Sequence, residues 1–168
     1  ESSAPGFSDF GGGVDKGESV YNAAIREAGE ELTGFLGSGK EIKSLLEKHG
    51  TYKMEIENYT SFIFPMKYDP QLELYYNNNQ RYLQQKLPAN IFKTTKIFEK
   101  EKIMWIKAND LKKMRHQFRH FYRYMVDLLY NDQYKIKAFI NKSLVKERLR
   151  KNKSNKRRNK KTKRKKFV

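Results

Sequence analysis

Four apolar residues at four-residue steps, Val20, Ala24, Ala28 and Leu32, lay one stripe along a helix over about 19–32. Three carboxylates, Glu27, Glu30 and Glu31, stand at i, i+3 and i+4 of the same helix and project together from one face. Like charges at that spacing repel by roughly 0.2–0.5 kcal/mol per pair, so a bare helix gains nothing from them. A divalent cation reverses the balance. Mg2+ or Mn2+ takes hard oxygen ligands, and carboxylates together with substrate phosphates satisfy its coordination. Arg26, four residues before Glu30, is placed to orient that carboxylate. Gly11, Gly12 and Gly13 ahead of the helix let the backbone turn tightly and approach a phosphate. A solvated acidic surface is the plain alternative, and three acids alone do not decide between the two.

The rest of the chain divides by composition. Residues 141–168 hold 15 Lys/Arg and one acid, Glu147, a net of +14; residues 1–140 hold 21 basic and 18 acidic side chains, a net of +3. The body is nearly balanced and the end is a polycation. Ser19 or Glu18 starts the acidic helix and Gly34 closes it. A shorter helix is expected over Gly39–His49, strands over Tyr52–Ile56 and Tyr59–Tyr68, and a buried strand over Lys102–Ile106. The Asn/Gln-rich stretch Gln71–Leu87 reads as a helix or ordered insertion. A long helix is expected from Asp110 to about Asn131 and another over Gln133–Arg150. Residues 151–168 are almost free of apolar side chains before Phe167, so no core offsets their ordering entropy and they are expected to be disordered in isolation.

There is no cysteine, which excludes disulfides, thiolate metal sites and cysteine catalysis. No apolar run approaches the roughly 18 residues of a membrane span, and no secretory segment is present. The expectation is an intracellular protein, cytoplasmic or nuclear, without a membrane partner.

The stretch Gly11–Leu32, GGGVDKGESVYNAAIREAGEEL, resembles the Nudix box, G-x5-E-x7-R-E-U-x-E-E-x-G-U with U aliphatic. Gly12 opens it, Glu18 follows after five residues, and Arg26-Glu27 after seven more. Ala28 fills the first aliphatic site and Glu30-Glu31 complete the acidic pair. Two positions depart: Ala28 is smaller than the usual Val, Ile or Leu, and Thr33 stands where the closing glycine belongs, with Gly34 one later. The resemblance covers about 8–131. It implies an α/β fold, an α/β/α sandwich around a mixed sheet, and metal-dependent hydrolysis of a nucleoside diphosphate linked to another group. Glu27, Glu30 and Glu31 would then be metal-binding and catalytic acids, Glu18 an accessory ligand and Arg26 the residue that orients them, with Mg2+ or Mn2+ as cofactor. Water attacks phosphorus while metals stabilise charge on the attacking and leaving oxygens.

Family members often add a later acid. In the mRNA-decapping branch one lies six residues before a Trp, and Glu99 stands six before Trp105, with Glu101 its neighbour. FEKEK is otherwise a charged strand entry. The family's sheet usually includes strands upstream of the box, and few residues precede it here, so the chain is expected to be a fragment lacking those N-terminal strands. The organisation expected is a Nudix hydrolase domain over 1–131, a helical extension over 132–150 and a polybasic tail over 151–168.

The tail, with Lys151, Lys156, Arg157, Arg158, Lys160, Lys161, Arg164 and Lys165, has the charge density to contact a phosphate backbone without sequence specificity. A localisation signal, a solubilising end and A/T-rich coding all produce the same composition. In Met114–Met125, His116 and His120 lie at i, i+4 but lack a third metal ligand nearby; the aromatics there are expected to face the core and the Arg/His side chains water or RNA. Tyr75, Tyr76 and Tyr82 are aromatic enough to stack on bases, although packing is the commoner use. The favoured substrate is capped mRNA. Free nucleotides or nucleotide sugars are the rival within the same chemistry, and a non-catalytic RNA-binding scaffold is the rival outside it.

Overall fold

The computed structural model describes residues 5–88, 90–91 and 99–165, the side chains of 151 and 153–165 excepted. Helix α1 spans Val20–Glu31 and starts where the Ser19 hydroxyl accepts the Asn22 N–H at 3.2 Å. Its apolar face differs from the four-step stripe. Leu32 is buried and Ala24 and Ala28 half-buried, but Val20 is exposed, and Ala23 and Ile25 are buried instead. Helix α2, Gly39–His49, draws Ile25 in: Ile42 and Leu46 pack against it, with Tyr21, Leu36 and Phe64 around them. Ser38 gives α2 a firm start, its N–H and hydroxyl both donating to the Glu41 carboxylate at 2.8 and 2.9 Å.

Strands β1, Tyr52–Ile56, and β2, Tyr59–Ile63, form an antiparallel hairpin with Met54 opposite Ser61. The expected run to Tyr68 stops at Ile63, since Pro65 lacks an N–H and restricts Phe64 before it. The hairpin is covered from both sides. Tyr52, Met54, Ile56, Tyr59 and Ile63 join a core of Phe118, Tyr122, Met125 and Val126. On the other face Phe62 meets the Tyr21 ring of α1 edge-on at 5.2 Å. This layering of helices about a small antiparallel sheet is compatible with the expected α/β/α sandwich. Among the described residues the sheet has two strands rather than a wider mixed sheet.

Helix α3, Pro70–Lys86, settles what the Asn/Gln-rich stretch does. Asp69 caps it, accepting the Gln71 N–H at 2.9 Å, with Pro70 at its first position. Its polar side chains satisfy the backbone of the segment expected as a buried strand. Asn77 donates to the Ile103 carbonyl at 3.0 Å and accepts the Ile103 N–H at 2.8 Å, and Glu73 accepts the Trp105 N–H at 3.0 Å. Residues 102–106 are therefore not a strand of a sheet. An amide side chain offers one donor and one acceptor, as a neighbouring strand residue would.

The long helix expected over 110–131 is broken. A 3-10 turn (Ala108–Asp110) leads into α4, Leu111–Met114; two more 3-10 turns follow, Arg115–Gln117 and His120–Tyr122, and then α5, Arg123–Asn131. The cause is tertiary. Phe7 donates to the Gln117 carbonyl at 2.9 Å and accepts the Arg119 N–H at 3.0 Å, a parallel bridge that pulls Phe118 out of the helix. The i, i+4 relation of His116 and His120 is lost with it. Only Phe118 and Tyr122 of the local aromatics are buried, while Phe121 and Tyr124 are exposed.

Helix α6, Gln133–Lys165, runs past the expected Arg150 into the polybasic end. Its first half is tied to the body: Ser143 donates to the His49 carbonyl at 2.9 Å, and Glu147 lies 3.1 Å from Lys48. No apolar stripe accompanies the helix beyond Arg150, so the composition that predicts an unfolded end in solution still applies there.

Thr33 follows α1 with φ +49°, left-handed backbone that a β-branched residue adopts only under strain. Its hydroxyl is buried without a hydrogen-bond partner. This is the position where the Nudix pattern carries glycine. Relief of roughly 1–2 kcal/mol of strain exceeds glycine's entropic cost of roughly 0.5–1 kcal/mol. Thr33→Gly should therefore raise the melting temperature by a few degrees in a thermal denaturation scan; an unchanged or lower midpoint would refute the strain.

Candidate active site

Successive turns of α1 bring Glu27 and Glu31 onto one face, and both are buried, at 6% and 3% exposure. Glu99, far along the chain, completes the group: one carboxylate oxygen of each of Glu27, Glu31 and Glu99 lies within 4.8 Å of the others. Glu101, the alternative late acid, is exposed. Three carboxylates gathered in this way offer the hard oxygen donors that Mg2+ or Mn2+ takes, and two of them are held inside the protein. Buried like charges this close persist only when a cation or a proton offsets them.

Each buried acid is held from behind. Glu27 accepts Arg26 Nη1 at 2.6 Å, and its carboxylate presses against Gly12, where an added Cβ would sit 2.6 Å from it. The leading glycine of the sequence pattern thus makes room for a carboxylate, a need its φ does not explain. Glu31 accepts the Gly11 N–H at 3.0 Å through Oε2 and lies 3.1 Å from Lys100 Nζ through Oε1. Lys100 also donates to the Ser8 hydroxyl at 3.2 Å. Tyr76, fully buried in α3, donates to the Glu31 carbonyl at 2.7 Å and to that of Lys100 at 3.2 Å, which locks the end of α1 to the 99–102 segment.

Arg26 also reaches Glu18 and Glu30. The guanidinium donates to both Glu18 oxygens, at 3.3 and 3.1 Å, and to the Gly13 carbonyl at 2.9 Å, and lies 3.6 Å from Glu30. Arg26 therefore orients Glu27 directly and Glu30 more loosely. Its hydrogen bonds hold Glu18 below the usual carboxylate range. The structure thus gathers Glu27, Glu31 and Glu99, and leaves Glu18 and Glu30 with the arginine. The basic side chains named in the tail, Lys151, Lys156, Arg157, Arg158, Lys160, Lys161, Arg164 and Lys165, lie outside the described residues.

A cavity of about 730 Å3 opens beside the acids, with Glu99, Lys100, Lys102, Phe7 and Arg119 in its wall. A second, apolar cavity of about 310 Å3 lies behind α1, between Ala28, Leu32 and Phe62. Lys100 and the polar group around Asp9 escape sequence reasoning. Asp9 is bound by the Tyr59 hydroxyl and by Ser61 Oγ at 2.5 Å, and burial raises its carboxyl above the usual range.

Burial pushes the Glu31 carboxyl up to about 7, against the pull of Lys100 and the Gly11 N–H, with Glu99 adding to the rise. A raised folded-state value means that the metal-free protein favours the protonated acid. Its contribution to stability is full below the ordinary value of 4.5 and is lost as pH rises through about 7. A cation competes with that proton. Stabilisation by Mn2+ in thermal melts should thus be larger at pH 8 than at pH 6, and Glu31→Gln should flatten the difference; equal shifts at both pH values in the unmutated protein would contradict this. Gly12→Ala should weaken Mn2+ binding with little loss of fold, because a carboxylate end moves more readily than backbone; unchanged calorimetric affinity would show that the close approach is unimportant.

The NUDIX domain family matches residues 2–129, most of the chain. No curated protein and no solved structure matches it at a significant level. Box, buried acids and family match agree: the chain belongs to the NUDIX family, hydrolases that act on pyrophosphate bonds.

Proposed function

We propose that this chain is a Mg2+- or Mn2+-dependent pyrophosphohydrolase that cleaves a nucleoside diphosphate linked to another group, with capped RNA as the favoured substrate. The observation that carries the reading is the meeting of Glu27, Glu31 and Glu99 beside an open cavity. These three acids would hold the cation, which when bound supplies positive charge at the attacking and leaving oxygens. The protein's own residues do the rest. Arg26 fixes Glu27, the Gly11 N–H and Lys100 fix Glu31, and Lys100 and Lys102 bring positive charge to the cavity that a phosphate chain would enter. Glu30, half-exposed beside Arg26, and Glu18 complete the acidic rim from which a proton acceptor for the attacking water is drawn.

Two features favour RNA over a free nucleotide. The end of α6 carries a polycation suited to a long polyanion. Glu99 keeps the spacing to Trp105 of the decapping branch and lies with the acids. Tyr75 and Tyr82 are exposed on α3 and available for stacking, whereas Tyr76 is buried.

The test is hydrolysis of cap-labelled RNA and of free nucleoside diphosphate derivatives, with Mn2+ or Mg2+. Release of a cap nucleotide is expected, with turnover lower by orders of magnitude in Glu31→Gln and Glu30→Gln and abolished by a chelator. Cleavage confined to free nucleotides would retire the RNA substrate; cleavage of nothing would favour the non-catalytic scaffold. Truncation must fall after Arg150, because Ser143 and Glu147 anchor α6 to the body. Removing 151–168 should weaken RNA binding and flatten its salt dependence while sparing a mononucleotide. An unchanged salt slope would rule out a role for the tail.

A further inference from the structure

Residues 8–11 touch the acid group at two points and the hairpin at a third. The Gly11 N–H donates to Glu31 at 3.0 Å, and the Ser8 hydroxyl accepts Lys100 Nζ at 3.2 Å, with Lys100 in turn on Glu31 at 3.1 Å. Between these contacts lies Asp9. Its two oxygens take different donors from β2: the Tyr59 hydroxyl binds Oδ1, and Ser61 Oγ binds Oδ2 at 2.5 Å. Ser61 is buried, at 7% exposure, and the Tyr59 ring packs against Tyr122 of the core, so these donors belong to the packed hairpin. The Tyr59 hydroxyl also packs against Gly11, where an added Cβ would meet it at 3.6 Å. Ser8 closes the loop on itself by donating to the Asp9 carbonyl at 3.0 Å.

We infer that Asp9 is a positioning residue for the reaction: through Tyr59 and Ser61 it moors residues 8–11 to the hairpin, and so sets the Gly11 N–H and the Ser8–Lys100 pair that hold Glu31 for the cation. The alternative is that Asp9 only stabilises the fold. Against it, Phe7 already ties this segment to Gln117 and Arg119 through two backbone hydrogen bonds that do not involve Asp9. Loss of the Asp9 contacts would leave the chain attached at Phe7 and free the part that meets Glu31. Groups that orient metal ligands from behind typically change metal affinity or activity about 10–100-fold when removed.

The inference rests on the proposal that the acids bind a divalent cation, and the experiment separates the two. Mn2+ affinity is measured by calorimetry on the full chain and on Asp9→Asn, Tyr59→Phe and Ser61→Ala, with circular dichroism as the check of fold and hydrolysis followed against Mn2+ concentration. Asp9→Asn should bind Mn2+ about 10–100-fold more weakly, and raising Mn2+ should restore much of its activity, which a merely destabilised protein would not show. The two hydroxyl deletions should move affinity the same way by less. An unmutated protein that binds no Mn2+ overturns the metal reading itself. Tight binding there with unchanged affinity in a folded Asp9→Asn overturns only the role of Asp9; if that variant does not fold, unchanged affinity in both Tyr59→Phe and Ser61→Ala does the same.

Discussion

Three carboxylates within 4.8 Å of one another repel, and two of them have been taken out of water. Everything beside α1 is arranged around holding that repulsion in place. Arg26 grips Glu27 from the solvent side, Gly12 vacates the space its carboxylate fills, and Lys100 with the Gly11 N–H grips Glu31 from the interior. A protein gains little from such an array unless something positive joins it, because desolvated charge is expensive and Arg26 and Lys100 already pair with Glu27 and Glu31. The raised Glu31 carboxyl is the same fact seen as acidity: without a cation the site tends to take a proton.

The scaffold that carries this array is lean. The sheet has two strands among the described residues, and its two faces are covered by α1 on one side and by α5 with the turns before it on the other. Elsewhere side chains do the work that further strands would do. Asn77 and Glu73 of α3 satisfy the backbone of 103–105, which holds the segment carrying Glu99 and Lys100 against the end of α1. Tyr76 locks the same two pieces together. The position of Glu99 among the acids therefore depends on side chains of a helix whose buried residues are Tyr76 and Gln80.

The sequence made some of this legible and hid the rest for definite reasons. Glu27 and Glu31 fall on one face because the helical period puts them there, and Arg26 is adjacent for the same reason. Glu99 could be singled out only from its spacing to Trp105, since nothing local marks a residue that meets α1 across the fold. Asp9, Tyr59 and Lys100 carried no signal: a hydrogen bond between positions 50 residues apart leaves no periodicity. The helix expected over 110–131 had sound local propensity, but the Phe7 bridge outcompetes it at Phe118. Lys102–Ile106 has the composition of a strand, but its partner is a helix's side chains. The closing glycine of the box shows the reverse case: Thr33 keeps the left-handed backbone although it is not the residue suited to it.

The account stands or falls on where a cation binds. The most direct measurement is anomalous diffraction from crystals of this chain soaked in Mn2+. The prediction is a Mn2+ peak coordinated by carboxylate oxygens from Glu27, Glu31 and Glu99. A peak confined to Glu18 and Glu30, or no peak near α1 at all, would contradict it.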